Sequence, residues 1–132
     1  MKRSILLLCL ATLLSSCFGD SRLMVINHTK SQIVFEHDAK NELATSKLNN
    51  TEFYLGRPLE VGDSTYVAEY GGSWPNFFKR SKFQKLNLFI FNFDTLKRYS
   101  GINYLVEHKL YRRFEFSEAD LEKSNWQIIV KD

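Results

Sequence analysis

Any chemistry in this chain must come from a few side chains. Three histidines, His28, His37 and His108, are the natural general bases or metal ligands, but each lies in a different stretch. None pairs with another at the i, i+4 spacing that sets two imidazoles on one helix face. Solvent-facing positions at strand ends are expected for them. His37 beside Asp38 is no catalytic pair, because neighbours in a strand point to opposite faces. No serine occupies a G-x-S-x-G turn, and Gly71-Gly72-Ser73 lacks the later glycine and lysine of a phosphate loop. Glu115, Glu118, Asp120 and Glu122 crowd one stretch, which raises a glycosidase carboxylate pair. Asp120, however, is placed to cap a helix, Glu118 suits that helix's first turn, and Glu122 suits its solvated face. Only Cys9 and Cys17 carry thiols. Disulfide frameworks, thiolate metal sites and cysteine nucleophiles are therefore excluded from the body. No catalytic residue, no metal site and no cofactor is expected.

The thiol that does carry a chemical message is Cys17. Lys2 and Arg3 precede an apolar run from Ile5 to Leu14, followed by small residues, the build of a secretory signal. The run is half the length of about twenty residues that a spanning helix needs. Leu14, Ser15, Ser16 and Cys17 resemble a bacterial lipobox, in which the cysteine is diacylated and the chain is then cut before it. Cys17 is thus the expected lipid-attachment residue, with residues 1–16 removed, 17–22 as a tether and 23–132 as one globular domain. Ordinary secretion with a stray Cys17 thiol is the alternative. Acyl chains on one residue, each stabilising attachment by about 0.8 kcal/mol per buried methylene, hold a protein to a membrane surface without spanning it. The expected location is the cell envelope, at the outer membrane, with the leaflet open: Asp20 is the one acidic residue between Phe18 and Arg22.

The remaining 116 residues suffice for one core burying about two thirds of the unfolded surface. They hold all 19 aromatics and a near-neutral 16 basic against 15 acidic residues. That balance, with export, argues against a nucleic-acid partner, even though Lys79, Arg80, Lys82 and Lys85 interleave with Phe77, Phe78 and Phe83. The cluster reads as a solvated face or as a patch for anionic headgroups or an acidic glycan. Arg112 and Arg113 point to opposite faces of a strand, so at most one can join it. Trp74 and Trp126 sit at core spacing rather than as saccharide platforms. Asp63-Ser64-Thr65 and Asp94-Thr95-Leu96 resemble a three-residue O-glycosylation acceptor, a pattern that turns also use.

The elements that must position these groups are mostly strands. Leu23–Ile26 and Ile33–Phe35 read as a hairpin, Phe53–Leu55 as a short strand, and Thr65–Tyr70, Leu110–Phe116 and Trp126–Val130 as further strands. Leu86–Phe93 is apolar on both faces and belongs mid-sheet, with a second sheet on one side and helices or loops on the other. A turn is expected around Asp94. Helices are expected from Trp74 to about Ser81, across Ile102, Leu105 and Val106, and from the Ser117 N-cap to about Lys123. Asp38–Asn50 reads as a surface loop of low order that could bind. The fold expected is mainly β, with α+β possible: an antiparallel sandwich-like domain of about seven strands and two or three short helices.

The Phe-rich strand Leu86–Phe93, the Asp94-Thr95-Leu96 turn and the block Tyr111, Ser117, Asp120, Leu121, Asn125-Trp126 resemble the C-terminal half of small, largely uncharacterised bacterial lipoproteins of gut anaerobes. In similar proteins a tryptophan stands near Ile102; this chain lacks it. The resemblance implies location and shape and adds no catalytic residue. The expected function is a membrane-anchored, non-enzymatic binding or accessory domain. Its partners are the membrane, through the lipid, and an envelope protein or glycan met by a loop or an exposed sheet edge. A periplasmic inhibitor or immunity lipoprotein and a small envelope hydrolase are the alternatives.

Overall fold

Leu86-Asn-Leu-Phe-Ile-Phe-Asn92 alternates two apolar sets, and this decides the layering of the chain. In the computed structural model, which describes residues 19–45, 48, 50–99 and 101–132, the elements follow in order. They are β1 (Asp20–Asn27), β2 (Ile33–Asp38), α1 (Thr51–Leu55), β3 (Ser64–Glu69), α2 (Trp74–Arg80) and β4 (Leu86–Asn92). Then come α3 (Phe93–Tyr99), α4 (Ile102–Glu107), β5 (Arg112–Phe116), α5 (Glu118–Lys123) and β6 (Gln127–Val130). The strands form two three-stranded sheets, β3-β1-β6 and β2-β4-β5. β1 runs antiparallel to β3 and parallel to β6. β4 runs antiparallel to both of its neighbours.

Leu86, Leu88 and Ile90 face the other sheet, where Leu23, Val25, Val67, Ile128 and Val130 complete a shared core with Trp74, Phe78 and Leu121. Phe89 and Phe91 face the opposite way, into a second core with Leu96, Ile102, Leu105 and Tyr54 from the helices. The expected two-faced environment of this strand is therefore present. Asn87, also buried, accepts from Arg113 Nη1 at 2.7 Å and donates to the Ala39 carbonyl at 3.4 Å. Its polar groups thus remain satisfied.

The fold is mixed α+β, with six strands and five helices among the described residues, and the mainly-β expectation needs correction at particular places. Phe53–Leu55 is helical. The Asn50 side chain accepts from the Phe53 N–H at 3.0 Å and caps α1, which buries only Tyr54. The stretch around Asp94 is a helix rather than a turn: Asn92 Oδ1 accepts from the Thr95 N–H at 2.9 Å, and Phe93 and Leu96 dip into the second core.

β1 and β2 do not pair as a hairpin; they belong to different sheets. Buried Asn27 fixes the crossing by donating to the Ser31 and Leu59 carbonyls, both at 2.9 Å, and accepting from the Thr29 N–H. The described part of the Asp38–Asn50 loop is pinned, since Leu43 and Leu48 are buried in the second core. β1 begins at Asp20, inside the stretch assigned to the tether. A Cβ at Gly19 would stand 2.7 Å from the Glu69 carbonyl oxygen, so only glycine fits where the chain enters the sheet.

The helix boundaries follow local rules. Ser117 and Asp120 form the expected capping box, with the Ser117 N–H donating to Asp120 Oδ2 at 2.8 Å. Lys109 (φ 54) and Asn125 (φ 52) take the left-handed conformation after α4 and α5. Leu110 N–H then bonds the Leu105 carbonyl, and Trp126 N–H the Leu121 carbonyl, both at 2.7 Å.

Phe89→Ala should lower the unfolding free energy by about 3–5 kcal/mol, whereas Ile129→Ala on the exposed face of β6 should change it by less than about 0.5 kcal/mol. Urea denaturation of both variants checks the two-sided burial of β4. Similar midpoints for the two would contradict it.

Candidate functional site

The two sheets are closed differently on their two sides. α5 links β5 to β6 and places Leu121 in the shared core. Between β2 and β3, each the outer strand of its sheet, a cleft of about 610 Å³ opens. Its walls are Val34–His37 of β2 and Ser64–Ala68 of β3; Phe53, Tyr54, Arg57, Pro58 and Leu59 form one end, and Tyr70 stands near the other strand terminus. Successive residues of a strand point to opposite faces. Lining by consecutive residues on both walls therefore means that the cleft runs along the strand edges, where the main chain is presented.

The hydrogen-bond pattern shows which main-chain groups these are. Met24 and His28 donate their N–H to the Trp126 and Val130 carbonyls of the β6 side, while Asn27 donates to Asp63 on the β3 side at 2.9 Å. Odd-numbered residues of β1 thus bond β3, and by register Thr65 and Val67 bond back. The N–H and C=O groups of Ser64, Tyr66 and Ala68 are directed away from β1, with no partner among the described residues. On β2, Ile33 and Leu59 exchange bonds of 3.2 and 2.8 Å, so Ile33, Phe35 and His37 present their main chain outward. The His37 N–H is taken by its neighbour's carboxylate, Glu36 Oε1, at 2.9 Å.

The side chains add a mixed polar and aromatic lining. Tyr54 donates its hydroxyl to Glu36 Oε2 at 2.7 Å. Burial, reinforced by that carboxylate, pushes the Tyr54 hydroxyl far above the usual tyrosine range, so it remains a donor. The Arg57 guanidinium lies 4.4 Å from the Phe53 ring centroid. Tyr66 is 66 %, Tyr70 85 % and Phe53 45 % exposed, a concentration of accessible rings around one opening.

His37 is not solvent-facing as expected. Its ring packs on Trp74 and Phe77, with centroids 5.7 and 6.4 Å away. Burial lowers its pKa, prevailing over the upward pull of the Glu36, Glu69 and Asp38 carboxylates. No serine or threonine hydroxyl among the described residues hydrogen-bonds this ring. Through its described residues the site offers a ligand main-chain groups, rings and one cation.

The other sequence candidates are dispersed. Leu14, Ser15, Ser16 and Cys17 lie outside the described residues. His28 is exposed in the turn after β1, and His108 stacks on Tyr104 at 3.9 Å, so the histidines do not converge. No group of three or more metal-ligating side chains forms among the described residues. Trp74 is fully buried and Trp126 half-buried, 6.3 Å apart, in the shared core. Arg80 bonds Glu69 at 2.8 Å and Lys85 approaches Glu115 at 3.5 Å, which takes two cations of the basic cluster into ion pairs. Ser64 lies in the cleft wall, while Thr95 donates to the Asn92 cap.

Sequence reasoning missed Phe53, Arg57 and Tyr66 as site residues. Tyr66 left a signal, a large ring alternating with Val67 on the solvent face of a strand. Phe53 and Arg57 left none, because their role depends on two strands far apart in sequence. No known protein family, no curated protein and no solved structure matches the chain.

The lowered pKa of His37 has a stability signature. Below the ordinary value of 6.5 the unfolded imidazole takes up a proton that the folded one resists, so stability should fall as the pH drops from there. Asp120, held low by the Ser117 hydroxyl, loses its contribution only further down, below 3.8. In Asp20, burial works upward, but bonds from Arg22 and the Trp74 N–H prevail, which puts its loss in the same lower range. His37→Gln should be less stable at neutral pH yet show a flatter decline between about pH 6.5 and 4.5, in denaturation curves taken across that window. An unchanged slope would mean that His37 does not titrate as its burial dictates.

Proposed function

We propose that this chain is a lipid-anchored cell-envelope domain that binds a ligand in the cleft between β2 and β3 and carries out no chemistry on it. The observation that carries the binding part is the cleft itself, with unpaired main-chain groups and three exposed rings around one opening. The address rests on Cys17 and its lipobox-like flank, and is supported by the resemblance of the C-terminal half to small envelope lipoproteins. The reading as a binder without catalysis is supported by the cleft's one histidine, which packs against Trp74 and Phe77 and has no hydroxyl bonded to its ring among the described residues.

The inhibitor reading needs a free loop to insert into an enzyme. Leu43 and Leu48, buried in the second core, tie down the loop best suited to that task. Binding along the sheet edge is the better supported mode.

Detergent-phase partition of the full chain, wild type against Cys17→Ser, tests the anchor, and protease shaving of intact cells reports the orientation. The wild type should enter the detergent phase and Cys17→Ser should remain aqueous, a shift from mostly bound to mostly free. Equal partition of the two would remove the lipid anchor from the proposal and leave the cleft as its remaining support.

A further inference from the structure

We infer that the occupant of the cleft is an extended polypeptide segment that adds as a strand to the outer edge of β3. The inference deepens the binding reading above and rests on it. Its first support is the outward main chain of Ser64, Tyr66 and Ala68. A row of unpaired N–H and C=O groups is a ready template for another strand, and a ligand supplying the same groups satisfies every second residue. Ser-Thr-Tyr-Val-Ala-Glu also lacks the lysine or proline that commonly guards such an edge.

The second support is Leu59. It exchanges two main-chain bonds with Ile33 in antiparallel sense, so a chain lying between the two edges already bonds β2 as a strand does. Further along, Phe35 keeps outward main-chain groups on that wall. A segment continuing the line of Leu59 has β2 on one side and β3 on the other.

Side-chain chemistry narrows the class. One set of alternate residues in such a segment meets the rim of the shared core at Phe35, Leu59 and Val67, which suits apolar groups. The other set meets Tyr66, Phe53 and Arg57. Arg57 stacks on Phe53 and has no acidic partner among the described residues. The segment recognised therefore alternates apolar with polar residues and carries an acidic residue near Arg57. A saccharide would use the ring faces and leave the main-chain edge unused.

The test uses the full-length protein in detergent micelles, a displayed library of random seven-residue peptides, and a panel of envelope-derived oligosaccharides. Ala68→Pro deletes one outward N–H, a change tolerated on an edge strand. Tyr66→Ala removes a ring but keeps the main chain. Selected peptides should alternate apolar and polar residues, lose about tenfold or more in affinity for Ala68→Pro, and lose less for Tyr66→Ala. They should also slow hydrogen exchange at Ser64, Tyr66 and Ala68. N-methylation of alternate peptide residues leaves the protein untouched and should abolish binding, which keeps the test decisive if Ala68→Pro folds poorly.

Selected peptides that bind equally well after N-methylation would overturn strand addition. So would oligosaccharides as the sole ligands, abolished by Tyr66→Ala; the cleft would then stand as a binding site with a different occupant. If neither library yields a ligand, strand addition and the binding reading fall together.

Discussion

Burial of β4 on both faces is the constraint from which the architecture follows. A strand with one apolar face can lie at the surface of a sheet, but Leu86, Leu88 and Ile90 on one side and Phe89 and Phe91 on the other require two covering layers. The second sheet supplies one layer and the short helices supply the other. Because β4 is central, β2 and β5 are outermost in its sheet, and because β1 is central in the facing sheet, β3 and β6 are outermost there. Two three-stranded sheets stacked in this way always present two pairs of edges. The sequence between β5 and β6 is a capped helix with an inward leucine, whereas the described residues between β2 and β3 close only one end of the gap, through Phe53, Tyr54, Arg57, Pro58 and Leu59. The cleft is thus a consequence of what connects the strands.

Much of this was legible from residues that obey one local rule at a time. The two-faced strand at Leu86, the helix announced by the spacing of Trp74, Phe77 and Phe78, and the Ser117–Asp120 cap are each set by neighbours within a few positions. The failures share a cause. Phe53–Leu55 is a run of apolar residues too short to reveal its period, and the Asn50 cap decides in favour of helix. Ile26 and Ile33 flank a polar turn that looks like a hairpin, but Asn27 bonds Leu59, a residue remote in sequence, and so routes the chain to the other sheet. The loop from Asp38 looks polar because its two anchoring leucines are widely spaced.

The candidate site was the least legible part for a related reason. Chemistry-bearing residues are legible as motifs, and among the described residues none of the histidine, serine or carboxylate patterns meets another in space. What gathers at the cleft is main chain, and main chain has no sequence signature. Its exposure depends on which strand lacks a neighbour, a property of topology rather than of residue type. Tyr66 and Arg57 acquire their setting only because β2 and β3 end at the same side of the stack.

The parallel pairing of β1 with β6 has a consequence for timing. Met24 through Asn27 pair in register with Gln127 through Val130, so the centre of one sheet acquires its second neighbour only when the final strand is available. Arg112 donates to the Lys131 carbonyl, and Lys30 meets Asp132, so the closing segment is held at several points once it arrives. A chain still lacking residues 127–130 can pair β4 with β2 and β5 and cover it with helices, but it cannot complete the facing sheet. Such long-range closure carries a loop-closure entropy that local contacts do not, which slows folding. It also means that the β6-side edge of β1 stays open until residues 127–130 have been made, so the nascent chain holds its central strand paired to β3 alone.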